Sequence, residues 1–250
     1  MLLSLNKISI NFGGVAALTN VSLDAPAGKI TGIMGPNGAG KTTLINIITG
    51  MLAAQTGTVH FNGRDVTTLE PHEIAAMGCA RTFQNIRLLN ETSVRDNIVV
   101  GCYRHGQAGL MAQLFGLPSA VKEFKGQESQ VDELLERFDM TQYADLPAGE
   151  LSYGHQRRVE MMRALASVPS LLLLDEPVAG MNDVEALELG RIFKDLVNDG
   201  LGIILVEHNL RFMQALSDYV YALDVGQQIA QGSPADVLND PAVITAYLGE

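Results

Sequence analysis

The fold of this chain is decided by the stretch Gly35-Pro36-Asn37-Gly38-Ala39-Gly40-Lys41-Thr42. It fits the phosphate-binding loop (P-loop) pattern, in which a glycine and four further residues precede Gly-Lys-Ser/Thr. An apolar run, Ile30–Met34, precedes the loop, and Thr42–Ile48 has the pattern of a helix that Gly50 ends. A strand, a glycine-rich loop and a helix in this order predict an α/β fold with a phosphate site at the helix N-terminus.

The glycines of the loop allow its backbone N–H groups to face inward and form an anion-binding nest. Lys41 is expected to reach the β- and γ-phosphates of a nucleotide, and the Thr42 hydroxyl is expected to bind Mg²⁺. The alternative is a glycine-rich turn with an incidental lysine. The strand and helix patterns on either side of the loop argue against that alternative.

Two carboxylates, Asp175 and Glu176, follow a second apolar run, Leu171–Leu174. In a parallel sheet the carboxyl ends of the strands line the ligand crevice, so both acids are expected to face the nucleotide. We expect Asp175 to hold Mg²⁺ through its water shell and Glu176 to accept a proton from the attacking water. The alternative is a solvated acidic pair at the end of a strand.

The remaining pattern places these motifs in one domain. A helix is predicted from about Asp183 to Asn198, and the apolar run Gly202–Val206 follows it, so strands and helices alternate as in a largely parallel sheet. The first residues, Leu3–Leu23, contain short strand-type runs and are expected to form an antiparallel β part. We therefore predict a single domain over 1–250, with an α/β core at 1–84 and 166–250 and a helical subdomain at about 85–165.

Composition excludes several function classes. The chain has 17 basic and 28 acidic residues and a formal net charge of −11, which argues against nucleic acid as a partner. Its two cysteines, Cys79 and Cys102, lack the spacing of a metal site or a disulfide framework. We expect no signal peptide and no membrane-spanning run, so a function at a membrane would need another chain to do the spanning.

The segment Leu151-Ser152-Tyr153-Gly154-His155-Gln156-Arg157-Arg158 resembles the signature of the ABC ATPases, whose common form is Leu-Ser-Gly-Gly-Gln. Tyr153 replaces the first glycine of that form and His155 replaces its glutamine, whereas Ser152 and Gly154 remain. Activity is therefore expected to survive. The His155 departure, and that of Asn182 described below, leave the rate and the coupling between subunits open.

Further motifs resemble the same family in the same order. Gln84 resembles the Q-loop glutamine, His208 the switch histidine, and Ala179–Asn182 the D-loop, which ends here in Asn182 rather than aspartate. Phe12 stands where the family stacks an aromatic ring on adenine, and a core aromatic is the alternative. Taken alone, Gln84 or His208 would more often be a surface or core residue.

The resemblance implies ATP and Mg²⁺ as cofactors and a head-to-tail dimer in which each ATP lies between the P-loop of one subunit and the signature of the other. The expected catalytic residues are Glu176, His208, Gln84 and Lys41. The expected nucleotide-binding residues are Phe12, Gly35, Pro36, Asn37, Gly38, Ala39, Gly40, Lys41, Thr42, Thr43, Ser152 and Gly154. The expected Mg²⁺ ligands are Thr42, Gln84 and Asp175.

Several details resemble the subunits that energise branched-chain amino acid uptake: the Leu-Ser-Tyr-Gly signature, Arg81–Asn85, the insertion near 102–130 and the ending Ala246-Tyr247-Leu248-Gly249. The resemblance implies membrane permease subunits, a second ATPase subunit, identical or different, and indirectly a solute-binding protein. It also implies a peripheral place at the cytoplasmic face of a bacterial plasma membrane. Residues Asn85–Leu89 are expected to grip the membrane subunit.

Other interpretations remain open. Urea or amide importers and the lipopolysaccharide-export ATPase are similar, although the export subunit generally lacks so long an insertion. A soluble ABC ATPase usually has tandem cassettes or a coiled-coil insertion, and this chain has neither. A non-hydrolysing regulatory cassette is disfavoured because Lys41, Asp175, Glu176 and His208 are all present. The sequence does not indicate which solute is transported.

Overall fold

The computed structural model describes residues 1–82, 86–103 and 118–248, without the side chains of residues 119 and 120. These residues form two compact units. The first consists of Met1–Arg81, Ser170–Pro177 and Phe193–Glu250, and the second of Thr82–Pro169 and Val178–Ile192. We find in the described residues no helix with the length and apolar character that a membrane span requires.

A six-stranded sheet lies at the centre of the first unit as the structure describes it, with the strand order β10-β9-β3-β8-β7-β6. Its strands are β3 (Ile30–Met34), β6 (Cys79–Arg81), β7 (Leu171–Asp175), β8 (Gly202–Val206), β9 (Tyr219–Asp224) and β10 (Gln227–Gly232). Neighbouring strands are parallel from β9 to β6, and only β10 runs antiparallel. All residues of β3, β7 and β8 are buried, as the apolar runs Leu171–Leu174 and Gly202–Val206 predicted for β7 and β8.

A four-stranded antiparallel sheet contains the N-terminal segment, in the order β2-β1-β4-β5. Its strands are β1 (Leu3–Phe12), β2 (Val15–Ala25), β4 (Thr56–Phe61) and β5 (Arg64–Asp65). The apolar residues of β1, among them Leu3, Leu5 and Ile8, are buried in the core of this unit. The predicted combination of a mostly parallel sheet with an N-terminal antiparallel part is confirmed.

The helices of the first unit include α1 (Lys41–Ile48), α2 (Pro71–Ala76), α7 (Leu210–Leu216), α8 (Pro234–Leu238) and α9 (Pro241–Leu248). The second unit contains α3 (Val94–Cys102), α4 (Pro118–Arg137) and α5 (Tyr153–Leu165), with short 3₁₀ turns at Thr141–Tyr143 and Ala148–Glu150. Helix α6 (Asp183–Asn198) has the predicted bounds. Cys79 and Cys102 are buried free thiols.

The two units divide the chain differently from the predicted core and helical subdomain. Thr82 and residues 166–169 and 178–192, which we predicted in the α/β core, group with the second unit. The reason is that the segment after β7 packs on α5. The Arg158 guanidinium lies 2.8 Å from the Glu188 carboxylate. The Tyr153 ring packs close to Gly180, where an added Cβ atom would lie only 3.2 Å from the ring.

Candidate functional site

The phosphate-binding loop leaves β3 and enters α1 with a backbone that depends on glycine. Gly35, Gly38 and Gly40 have φ angles of +150°, +83° and +101°, which L-residues with a side chain rarely adopt. A Cβ atom at Gly35 would lie 2.1 Å from the Leu223 carbonyl oxygen. Gly40 precedes the first turn of α1 and supplies no side-chain cap, so the first N–H groups of the helix stay available to an anion.

Lys41 is the first residue of α1, and its side chain turns back over the loop. Its Nζ donates hydrogen bonds to the carbonyl oxygens of Gly35 at 2.7 Å and Pro36 at 2.9 Å. Burial lowers the pKa of Lys41, while the nearby charges of Glu176 and Asp175 oppose that change. The lysine and the two acids predicted from separate motifs therefore share one electrostatic environment.

Asp175 ends β7 and is buried, with an exposed fraction of 6%. Its Oδ2 lies 3.4 Å from a guanidinium nitrogen of Arg81, which ends the neighbouring strand β6. The same guanidinium donates to the Asn46 side chain on α1 at 2.7 Å. Burial lowers the pKa of Arg81, and Asp175 opposes that shift. Arg81 thus links the carboxylate to the helix that follows the phosphate-binding loop.

Glu176 follows β7 in a left-handed backbone conformation, with φ of +51°. Its backbone N–H donates to the Val206 carbonyl at 2.9 Å, which fixes the turn against the end of β8. One carboxylate oxygen of Glu176 lies 3.5 Å from Nδ1 of His208. The two predicted catalytic side chains are therefore adjacent, although they come from strands separated by a whole helix in the sequence.

The backbone around His208 is held by a buried carboxylate. Glu207 has an exposed fraction of 1%, and its Oε2 accepts from the backbone N–H groups of His208 at 3.2 Å and Asn209 at 3.4 Å. Asn209 in turn caps α7, because its side chain accepts from the Phe212 N–H. The His208 side chain remains 63% exposed on this fixed backbone.

Phe12 lies at the end of β1, in the turn region where it pairs with Val15 of β2. Its side chain is 49% exposed, which removes the alternative of a core aromatic. Adenine stacking by Phe12 stays a prediction.

Gln84 lies outside the described residues, as do Phe83 and Asn85 beside it.

The signature segment opens α5 in the second unit. Ser152 precedes the helix, and its Oγ accepts from the His155 N–H at 3.4 Å. The His155 ring packs against Tyr143 with the ring centroids 4.6 Å apart, and the Tyr153 ring lies under the Arg157 guanidinium at 5.7 Å. Both departures from the common signature thus have local packing partners. Gly154 lies near the Glu185 carboxylate, 3.5 Å from where its Cβ atom would stand.

The third departure, Asn182, caps α6. Its Oδ1 accepts from the backbone N–H groups of Val184 at 2.9 Å and Glu185 at 3.0 Å. The Glu185 carboxylate accepts in return from the Asn182 N–H at 3.0 Å, so the two residues form a reciprocal cap. Asparagine and aspartate cap helices about equally well, and this substitution therefore preserves the start of the helix.

We expect Asn182→Ala to lower the free energy of unfolding by about 1 kcal/mol, because two N–H groups at the start of α6 lose their acceptor. In a chain of this size such a loss corresponds to a decrease of about 2–4 °C in Tm. Asn182→Asp serves as the matched control and should leave Tm close to that of the parent protein. Thermal unfolding of the three proteins measures the difference, and equal values for Asn182→Ala and Asn182→Asp would contradict the capping role.

The sequence interpretation missed two side chains that hold the site together, Arg81 and Glu207. Each stands directly beside a predicted motif residue, Thr82 of the Q-loop segment or His208 of the switch. For Glu207 the available signal was a charged residue directly after the apolar run Gly202–Val206; no strand was predicted before Arg81. Such a residue requires a polar partner, which the sequence alone does not identify.

Comparison with known proteins identifies the family. Residues 18–179 match the family described as ABC transporter, and residues 227–250 match the family described as branched-chain amino acid ATP-binding cassette transporter. The chain is 37% identical to the high-affinity branched-chain amino acid transport ATP-binding protein LivG of Escherichia coli (strain K12), covering 100% of this chain and 98% of that protein. It is 34% identical to BraF of Pseudomonas aeruginosa, with the same coverage.

Solved structures agree with the sequence relatives. A nucleotide-free ATP-binding cassette from an ABC transporter has a TM-score of 0.86 and 35% identity, covering 100% of this chain and 99% of the other. An ATP-binding cassette of an ABC transporter in its ADP conformation has a TM-score of 0.87 and 36% identity with the same coverage. The chain therefore belongs to the ABC transporter family, as an ATP-binding cassette.

Proposed function

We propose that this chain hydrolyses ATP to energise an importer of branched-chain amino acids. The observation that carries the ATPase assignment is the convergence of its motifs at one edge of the sheet. Val206, at the end of β8, pairs with Ile33 of β3 on one side and with Asp175 of β7 on the other. The P-loop, the two carboxylates and His208 therefore start from neighbouring strand ends, where α/β proteins bind ligands.

The nucleotide would be held by the loop 35–43, in which backbone N–H groups and the Lys41 ammonium contact the phosphates. The exposed ring of Phe12 would stack on adenine. These local contacts would allow a protein with a net charge of −11 to bind an anion. The binding donors are local and oriented, so they do not depend on the net charge.

Mg²⁺ fits the donor set that this edge offers. The Thr42 hydroxyl and the Asp175 carboxylate are hard oxygen ligands, and Mg²⁺ in nucleotide sites takes one or two carboxylates together with substrate phosphates. In the described part of the chain, no group of three or more His, Cys, Asp or Glu residues stands ready as a metal cage. When bound, the ion would neutralise charge on the phosphates. Gln84 remains a proposed third contact.

Hydrolysis requires a base near the γ-phosphate, and Glu176 is the proposed one. Its side chain is 23% exposed and so accessible to a water molecule. His208, 3.5 Å away, would orient that carboxylate and contact the phosphate. Phosphoryl transfer depends mainly on positioning and charge stabilisation, and these two side chains supply positioning.

A second cassette would complete each site. The chain contains one P-loop and one signature, so two subunits would have to face each other, identical or different. Ser152 and the backbone of Gly154 would then contact the γ-phosphate bound by the opposite subunit. Closing on ATP and opening after hydrolysis would drive the permease subunits at the cytoplasmic face of the membrane.

The coupling surface would include Leu88 and Leu89. The Leu89 backbone is clamped by buried Asn97, whose side chain accepts from the Leu89 N–H at 2.8 Å and donates to its carbonyl at 3.0 Å. The Leu89 side chain is nevertheless 51% exposed. A fixed backbone that presents an apolar side chain suits contact with a helix of a membrane subunit.

We expect replacement of Leu88 and Leu89 by Asp to abolish transport by the assembled system. Basal ATPase activity should stay within about twofold of the parent, because Leu89 is exposed, Leu88 is only half-buried and neither is a proposed nucleotide-binding residue. Val168→Asp is the control, since Val168 is 63% exposed elsewhere in the same unit. Solute uptake into proteoliposomes and ATPase rates measure the two effects. Loss of ATP binding in the double variant would contradict a coupling role.

The importer assignment rests on the relatives named LivG and BraF and on the matched C-terminal segment 227–250. Its test is affinity capture of the tagged chain from gently solubilised membranes. Recovery with two polytopic subunits, a second ATPase and a solute-binding protein would support it, and ligand screening of that binding protein would identify the solute. Recovery with a lipopolysaccharide-export assembly, or with no membrane chain, would overturn this branch and leave the ATPase assignment in place.

A further inference from the structure

The C-terminal helix α9 bonds directly to the phosphate-binding loop of the same unit. The Tyr247 hydroxyl oxygen accepts a hydrogen bond from the backbone N–H of Gly35 at 2.9 Å, across 212 residues of sequence. Burial raises the pKa of Tyr247, so the neutral hydroxyl is the form that this environment favours. None of the motifs described above uses this contact.

Helix α9 presents Tyr247 from a defined face. Val243, four residues earlier, is 3% exposed, whereas Ile244 and Leu248 are 43% and 74% exposed. Residues four positions apart lie on the same side of a helix, so Val243 and Tyr247 form its inward face. The helix start is also fixed, because the Asp240 side chain accepts from the Ala242 N–H at 2.8 Å.

Hydrogen bonds hold Gly35, the first residue of the phosphate-binding loop, through both of its peptide groups. Its carbonyl accepts from Lys41 Nζ at 2.7 Å, and its N–H donates to Tyr247, so bonds fix its peptide groups on both sides. Further along the loop, the Ala39 carbonyl accepts from the Gly226 N–H at 3.1 Å, in the turn between β9 and β10. The C-terminal part of the chain therefore holds both the beginning and the end of the phosphate-binding loop.

We propose that Tyr247 is a positioning residue for nucleotide binding, which holds the Gly35 peptide, and with it the phosphate-binding loop, in the conformation that accepts ATP. This inference rests on the proposed function of the loop. When only a fraction of molecules has the binding conformation, the apparent affinity falls by that fraction. A bond that holds the loop before ATP arrives therefore increases affinity without touching the nucleotide.

The chain offers a closely matched control in Tyr221. Its hydroxyl accepts from the backbone N–H of Asp24 at 3.0 Å, so it makes the same kind of bond within the same unit. Burial raises its pKa as well. The donor of this bond, the Asp24 N–H, belongs to β2 rather than to the phosphate-binding loop. Tyr221→Phe removes a hydroxyl that bonds to Asp24, through its N–H and, at 3.4 Å, its carbonyl oxygen. Tyr247→Phe removes one that bonds to the phosphate-binding loop.

The experiment compares the purified parent protein with both variants by titration with MgATP and by hydrogen–deuterium exchange of the nucleotide-free proteins. We expect Tyr247→Phe to weaken ATP binding about two- to tenfold, which corresponds to the loss of one ordinary hydrogen bond. We also expect faster exchange in the peptide that contains Gly35. Tyr221→Phe should leave ATP affinity and exchange at Gly35 at the parent values, whatever its effect on Tm.

Each outcome decides between the two proposals. Equal ATP affinities for the two variants, or unchanged exchange at Gly35 in Tyr247→Phe, would overturn the positioning role and leave the proposed ATPase function intact. A parent protein that binds no ATP would overturn both. If Tyr247→Phe weakens the whole fold, exchange will rise across the sheet strands as well as at Gly35, and that pattern also counts against a specific role.

Discussion

We expect Glu176→Gln to lower the steady-state rate of ATP hydrolysis by about 10²- to 10⁴-fold, the range that general-base catalysis contributes, and to leave ATP binding intact. The amide keeps the shape of the carboxylate but cannot accept a proton from water. The Lys41 Nζ bonds to the carbonyl oxygens of Gly35 and Pro36. Because Glu176 takes no part in these bonds, the substitution should leave the phosphate-binding groups in place.

The left-handed backbone conformation of Glu176 supports the proposal that its carboxylate takes part in the reaction. Its φ of +51° is a left-handed conformation that costs about 1–2 kcal/mol for an L-residue, and glycine would relieve that cost. The conformation persists because the N–H of Glu176 is bonded to Val206. A strained residue beside a phosphate-binding loop, 3.5 Å from His208, is where a reacting group is expected.

The variant should also accumulate as an ATP-bound dimer, because the closed state opens only after hydrolysis in the proposed cycle. Size-exclusion chromatography with MgATP, together with phosphate-release assays, measures both effects. Glu136→Gln, an exposed glutamate of α4, is the control and should hydrolyse ATP at the parent rate. Turnover by Glu176→Gln at the parent rate would remove Glu176 from the role of base.

Local signals in the sequence predicted the elements that carry the site. The runs Leu171–Leu174 and Gly202–Val206, which lie in β7 and β8, carry no polar side chain because both faces of a central parallel strand are covered. Helix α6 was placed at its observed bounds by the turn before it and its own pattern. The phosphate-binding loop was predicted because its glycines are required by the backbone itself.

Those local signals do not predict contacts between segments that are distant in the sequence. The sequence contains no indication that Arg81 ends a strand beside Asp175, since that depends on the pairing of β6 with β7. Nor does it indicate that Tyr247 reaches Gly35. The grouping of residues 178–192 with the second unit was not indicated either, since it depends on contacts such as the ion pair of Arg158 with Glu188.

We expect Lys41→Met to weaken ATP binding by roughly 10- to 100-fold, which corresponds to the loss of hydrogen bonds from a charged donor. In the structure the ammonium is bonded to two neutral carbonyl oxygens. Phosphate oxygens are charged and form stronger bonds with it, so exchange of partners on ATP binding is favourable. Lys41 is partly buried, and burial lowers its pKa.

Lys29→Met separates this effect from the general loss of a positive charge. Lys29 belongs to the same unit and bonds to Asp218 at 2.9 Å with a side chain that is 54% exposed. A ligand present at 100 times its Kd stabilises a folded protein by about 2.7 kcal/mol, so MgATP should raise the Tm of the parent and of Lys29→Met by similar amounts. At the same ATP concentration the increase in Tm for Lys41→Met should be much smaller, because a smaller fraction of that variant has ATP bound. An equal increase in the two variants would mean that the loop amides alone hold the phosphates and that Lys41 contributes no binding energy.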